Sequence, residues 1–327
     1  MTVSRWIFSL LGLAALTAAP VLAVAQQPPA SPAASGAAQP AWIRTSDAAR
    51  PVGKDELAVR WLGTAAFEVR TATTSILIDP HFSRHNLVKL LAGPLSPDLE
   101  RIKQHLPKSQ AVFVGHSHHD HMVDAPTVAK LLGAPLYGSE DTSRVALGEG
   151  LDPGRVKTLQ GGERVTVGDL VIEAIPSEHS DIITNWIVNG RIAPDAKPPM
   201  RFSQYKHGPV FIYAIHWRGR TVYHFGSAEM IDATMKGRHA DVAMICLSGW
   251  KDNRPIFGRI AKTLTPDVVV PMHHDDFFKP LDEGFHPGQL AYVDEAYPAI
   301  ARDMPQSALV KLDFFQEFRL QPAETRR

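Results

Sequence analysis

The chain has 327 residues, in which 34 lysines and arginines are set against 34 aspartates and glutamates. That balance gives no electrostatic footprint for a nucleic acid or an anionic membrane, and the length suits one large domain or two small ones. Cys246 is the single cysteine, so no internal disulfide is available and the fold depends on its core and on any metal it holds.

Residues 1–25 place one early positive charge, Arg5, before an apolar stretch from Trp6 to Leu22 and the small-residue exit Ala23-Val24-Ala25. This pattern predicts a cleaved signal peptide, a periplasmic or secreted protein, and no permanent membrane span after cleavage. Residues 26–54, rich in Pro, Ala, Ser and Gln at their start, predict a disordered linker. No second linker interrupts 55–327, which predicts one domain.

Within that domain the runs 57–62, 67–70 and 75–78 predict an antiparallel meander. The irregular stretch 79–108 contains one predicted helix, 98–105. Residues 110–114 predict a buried strand, 125–132 a helix opened by Pro126, and 135–137 a further strand. A second meander is expected over 155–159, 163–167 and 170–175, joined through Gly161-Gly162 and Gly168-Asp169. Residues 210–215 and 221–225 predict a hairpin, 242–247 and 268–270 buried strands, 259–264 and 289–301 helices, and 309–313 a closing strand. Two groups of strands with interspersed helices predict an α/β (α+β) sandwich of two mixed sheets. Short hairpin-linked strands and the lack of a Gly-x-Gly-x-x-Gly turn argue against a doubly wound parallel sheet.

The run His116-Ser117-His118-His119-Asp120-His121 is a His-x-His-x-Asp-His motif at the carboxyl end of the strand 110–114. Imidazole and carboxylate at this density suit Zn²⁺, Fe or Mn²⁺. On an extended turn His116 and His118 project to one side and can share an ion, while Asp120 and His121 face a neighbouring position. His119 is expected to point away. Four side chains on one turn do not complete two coordination spheres, so further ligands should come from other strand ends. His179 follows the strand 170–175, and His273 follows 268–270, with His274 competing for its place. Cys246, flanked by apolar residues, predicts a buried strand position.

Together with Trp61-Leu-Gly-Thr-Ala65, Ile76-Leu-Ile-Asp-Pro80, Gly226-Ser-Ala228 and Pro271-Met-His273, the motif resembles the metallo-β-lactamase superfamily of hydrolases over 57–312. Within it the chain most resembles the branch of L-ascorbate-6-phosphate lactonase and the N-acyl-phosphatidylethanolamine phospholipase D-like proteins. The resemblance implies a four-layer αββα sandwich, the metallo-β-lactamase fold, with metals at one edge. It implies that His116, His118 and His179 hold the first ion, that Asp120, His121 and His273 hold the second, and that Asp79 lies behind them and orients a ligand. Many relatives bridge the ions with the aspartate of a Gly-Asp-Thr turn. Here that turn reads Gly226-Ser227-Ala228, leaving Ser227 or Glu229 as substitutes.

The function expected on this basis is an exported zinc hydrolase with one or two ions, Mn or Fe being alternatives. A metal-bound hydroxide would cleave an ester, lactone or related acyl bond, with Asp120 as the catalytic carboxylate. The alternatives are a phosphodiesterase or phospholipase D-like hydrolase, a β-lactamase, and a non-catalytic periplasmic metal-binding protein on the same scaffold. The loop 180–208 carries Ile182, Ile183, Trp186, Ile187, Val188, Phe202 and Tyr205, which predicts a small-molecule substrate with an apolar portion and leaves Lys206 or Arg201 for an anion.

Overall fold

Period-two patterning sorts the strands onto two cores. The computed structural model describes residues 37–46, 50–181, 185–252 and 255–324. In it Ile76 and Ile78 face one core while Leu77 between them faces the other, and Ala111, Phe113 and Val112 divide in the same way. The expected signal peptide, 1–25, and residues 26–36 and 47–49 of the expected linker lie outside the described residues.

In chain order the first half forms β1 (Ile43–Ser46), β2 (Leu57–Trp61), β3 (Phe67–Arg70), β4 (Ser75–Ile78), α1 (Leu87–Ala92), β5 (Pro94–Leu95), α2 (Leu99–His105), β6 (Ala111–Phe113), α3 (His119–Met122), α4 (Ala125–Leu132), β7 (Leu136–Gly138), α5 (Glu140–Gly148) and β8 (Val156–Thr158). The second half adds β9 (Arg164–Val167), β10 (Leu170–Ser177), α6 (Asn185–Val188), β11 (Met200–Arg201), β12 (Val210–Trp217), β13 (Arg220–Phe225), α7 (Asp232–Met235), β14 (Val242–Cys246), α8 (Ile256–Leu264), β15 (Val268–Met272), α9 (Val293–Asp303), β16 (Ala308–Leu309) and β17 (Glu317–Leu320).

Hydrogen bonding arranges these as an eight-stranded sheet, β1-β17-β2-β3-β4-β6-β7-β8, and a seven-stranded sheet, β16-β15-β14-β13-β12-β10-β9, with β5 and β11 as a separate ribbon. Both sheets are mixed: β2 to β4 are antiparallel and β4, β6, β7 and β8 parallel, while β10, β12 and β13 alternate and β13 to β16 run parallel. One core joins the inner faces of the two sheets and extends to Phe257 and Ile260 of α8 and Ile300 of α9. The other packs the outer face of the first sheet on Ile102, Val128 and Val145 of α2, α4 and α5. The layers are therefore helix, sheet, sheet, helix.

Three elements depart from the pattern expected from sequence. The second meander is split: β8 pairs in parallel with β7 in the first sheet, whereas β9 and β10 form a hairpin in the second. The crossing occurs at Gly161 and Gly162, whose φ values of 101° and 97° are open to glycine and strained for other residues. Strand β1 forms inside the stretch read as linker, because Ile43 is buried against the core and its backbone completes the edge of β17. The closing strand is not 309–313. Only Ala308–Leu309 pairs there, and the chain returns through Phe315, at φ 66°, to enter the first sheet as β17.

Candidate metal centre

Parallel pairing sets the carboxyl ends of β4 and β6 side by side, and likewise those of β13, β14 and β15. Beyond these ends stand Asp79, the histidine motif, Gly226-Ser227 and His273, with Cys246 as the last residue of β14, and His179 follows β10 at the same edge. The Phe211 N–H donates to the Gly115 carbonyl (2.8 Å) and the Tyr213 hydroxyl to that of Val114 (2.8 Å), fastening β12 of one sheet to the motif turn of the other. The Asp79 carboxylate accepts from the Gly115 N–H at 2.7 Å. The chain then turns into α3 at His119, which puts Asp120 and His121 on its first turn.

The side chains gather in two triads. Ligating atoms of His116, His118 and His179 all lie within 4.8 Å of one another, and so do those of Asp120, His121 and His273. His116 Nε2 is 3.2 Å from His118 Nδ1, and His273 Nε2 is 3.1 Å from Asp120 Oδ2. The triads adjoin where the His116 and His121 rings approach to 3.9 Å between centroids. Asp79 Oδ2 lies 2.8 Å from His121 Nδ1, behind the second triad.

Burial first, and then the neighbouring imidazoles, hold the pKa values of His116 and His118 well below the ordinary histidine range, and burial takes His179 down to about 3. These three rings are neutral, with lone pairs to offer. Burial works against the Asp120 carboxylate, but His121, His119 and His273 outweigh it and hold its pKa well below the usual carboxylate range. Nδ1 of His116 and of His273 is buried without a hydrogen-bond partner. Five imidazoles and one carboxylate facing one another, with buried nitrogens left unmatched, fit a cation better than they fit one another.

The structure brings together His116, His118, Asp120, His121, His179, His273 and Asp79. It separates His273 from its competitor: the His274 ring stacks on Trp61 at 4.8 Å and 7° and belongs to the core side. Glu229 does not reach the triads, because its carboxylate pairs with Arg259 and accepts from the Met230 N–H. Ser227 faces the site, but its Oγ accepts from the Ser180 N–H at 2.9 Å. No carboxylate among the described residues stands where a bridge would.

Above the triads opens a cavity of about 270 Å³ walled by Val188, Phe202 and Phe277. His119, expected to point away, lines it instead, its ring packed 5.0 Å from that of Phe202. Cys246 is buried in β14 as expected and also lines the cavity. Neither Arg201 nor Lys206 does: Arg201 is exposed, and the Lys206 ammonium donates to the Ile187 carbonyl. Ile182 and Ile183 lie outside the described residues. Leu87, Leu90 and Leu91 of α1 complete the wall, and sequence reasoning missed them because no helical periodicity marks so short an apolar run.

The family model described as "Beta-lactamase superfamily domain" matches residues 58–273. A UPF0173 metal-dependent hydrolase of Anaeromyxobacter dehalogenans is 32% identical over 235 residues, covering 69% of this chain and 76% of the relative. One from Methanopyrus kandleri is 27% identical, covering 67% and 84%. Among solved structures, the metallo hydrolase Igni18 of Ignicoccus hospitalis superposes with a TM-score of 0.52 at 18% identity, covering 82% of this chain and all of that one. The metallo-beta-lactamase fold protein YhfI of Bacillus subtilis gives 0.51 at 17%, covering 81% and 100%. These two show the fold. The relatives also correct the expected periplasmic or secreted location: they are UPF0173 proteins of bacteria and archaea. Among the described residues, no helix is long and apolar enough to cross a membrane.

Proposed function

Starting from a chain that belongs to the beta-lactamase superfamily and is a metal-dependent hydrolase of the UPF0173 kind, we propose that it is a zinc enzyme cleaving an ester, lactone or related acyl bond of a small molecule. The observation that carries this reading is the pair of triads beneath one cavity. His116, His118 and His179 would hold the first ion and Asp120, His121 and His273 the second, with Asp79 orienting His121. When bound, zinc supplies Lewis acidity, polarising a carbonyl and acidifying water toward neutral pH.

The remaining work falls to the chain itself. Asp120 is buried, ionised and at the cavity wall, so it is the group placed to take the proton of attacking water. His119, with Nδ1 3.6 Å from Asp120 Oδ1, stands ready beside that carboxylate. Phe202 and Phe277 exclude bulk water from the reacting bond. The sequence resemblance to the lactonase and phospholipase D-like branch supports a carbonyl or phosphoryl centre. The lack of a bridging carboxylate favours the acyl reading, because the bridged pattern is the one that phosphodiester-cleaving relatives resemble.

The test is metal analysis with hydrolysis of ester and lactone substrates by the protein and by its His116→Ala/His118→Ala variant. We expect the variant to lose the first zinc and all turnover; retention of both by a folded variant refutes the ligand assignment. Iron is the metal to load in parallel, since a diiron β-hydroxylase of Streptomyces venezuelae shares the fold with a TM-score of 0.53, covering 83% of this chain and 55% of that one.

A further inference from the structure

Among the described residues, no lysine or arginine lines the cavity over the triads, and its apolar lining continues outward to side chains that stand in water. Leu87 is 54% exposed, Leu91 67% and Leu290 38%, and all three line the cavity. On α1 Val88 is also exposed, so that only Leu90 of this apolar helix is buried. Trp186, 85% exposed, immediately precedes the lining residues Ile187 and Val188. Leaving several large apolar side chains in water around one opening forgoes hydrophobic stabilisation that a ligand can recover.

We propose that the substrate of this site carries an uncharged hydrocarbon chain, seated between Val188, Phe202 and Phe277 and leaving past Leu87, Leu91 and Leu290. This rests on the acyl-hydrolase reading above and sharpens it. A tail carrying a phosphate or a carboxylate, led outward away from the triads, would give up its hydration along this wall without meeting a lysine or arginine among the described residues. Among the described residues, Arg84 is paired with Asp275 and the Lys206 ammonium donates to the Ile187 carbonyl, so neither turns into the wall. A hydrocarbon chain asks only for apolar area, and the cavity is continuous from the triads, where an ester carbonyl would lie, to the rim.

The experiment compares p-nitrophenyl butanoate with p-nitrophenyl octanoate on the zinc-loaded full chain, and follows displacement of Nile red by 1-octanol on the same protein. A buried methylene is worth about fourfold, so the octanoate should exceed the butanoate in kcat/KM by roughly 15- to 200-fold, according to whether two or all four extra methylenes are buried. Octanol should displace the dye. In Leu87→Glu/Leu91→Glu, a change at exposed positions that folding tolerates, the octanoate to butanoate ratio should fall at least fivefold and octanol should displace the dye less well.

Butanoate turnover with no preference for octanoate and no displacement by octanol overturns the chain site and leaves acyl hydrolysis standing. Displacement by octanol with neither ester cleaved upholds the chain site and removes the acyl-hydrolase reading. If sedimentation shows a dimer that the double variant dissociates while the chain-length ratio is unchanged, the rim is a face between copies and the proposal is wrong.

Discussion

Asp79 illustrates how much one side chain decides. It follows β4 at φ 47°, a conformation costly for any residue but glycine, and it is fully buried. One oxygen holds the Gly115 N–H, and the other lies 2.8 Å from His121 Nδ1. A carboxylate there keeps the proton on Nδ1 and leaves Nε2, which points toward Asp120, free to ligate. Asp79→Asn keeps the acceptor for Gly115 but turns an amide N–H₂ toward Nδ1, so the imidazole must carry its proton on Nε2. We expect about a 10- to 100-fold loss of affinity at the second metal position with the first unaffected, read by chelator competition; equal weakening of both ions would show that Asp79 acts only through the turn. The six candidate ligands were legible in the sequence because four share one turn and two end apolar runs. The choice between His273 and His274 was not, because it depends on Trp61, more than two hundred residues earlier in the chain, whose indole occupies the face of His274.

At the scale of elements, the loop after β15 is held by a buried clamp that no local pattern announces. Asp275 accepts from the Thr64 N–H at 2.9 Å and pairs with Arg84, while the His273 N–H donates to the Thr64 carbonyl at 2.9 Å. Both charges are almost wholly buried. Gly63, at φ 91°, has room for no side chain, because a Cβ would fall 2.2 Å from the Arg84 guanidinium. Three segments far apart in sequence thereby fix His273 in its left-handed conformation, φ 53°. Asp275→Ala strands a buried guanidinium and should cost about 3 to 5 kcal/mol of stability. Replacing the pair together, Arg84→Met with Asp275→Leu, removes both charges but leaves the buried Thr64 N–H without its acceptor, so it should cost less than the single change, about 1 to 3 kcal/mol, and still weaken the second ion, since His273 loses its anchor. If the double variant binds both ions as the parent does, the clamp serves folding alone. The same distinction explains which elements could be read: β2, β3 and β4 pair with their neighbours in sequence, whereas the passage from β8 to β9 changes sheets at two glycines, a choice made by the packing of the whole sandwich.

At the scale of the molecule, the sandwich leaves the edge between its sheets for chemistry and stores ionisable groups in the helical layer behind the first sheet. Glu149, at the end of α5, is half-buried beside Lys130, whose ammonium donates to its carbonyl. Burial raises its carboxyl pKa to about 7, and the attraction of Lys130 offsets this only in part. The folded value lies above the value of about 4.5 expected for the unfolded chain, so the folded state holds the proton more tightly. The stabilisation is complete below pH about 4.5 and is lost as pH rises through about 7, above which the native protein carries a poorly solvated charge. Glu149→Gln keeps the shape and removes the ionisation. Its melting temperature should match that of the parent near pH 4.5 and exceed it at pH 8, by an amount equivalent to about 1 to 3 kcal/mol. Because the metal ligands are common to both proteins, taking the difference between variant and parent cancels their own titration. A difference that stays flat from pH 4.5 to 8 would mean that Glu149 reaches solvent freely at the end of α5, and that the layer behind the first sheet is less tightly closed there than the burial of Val145 and Ala146 implies.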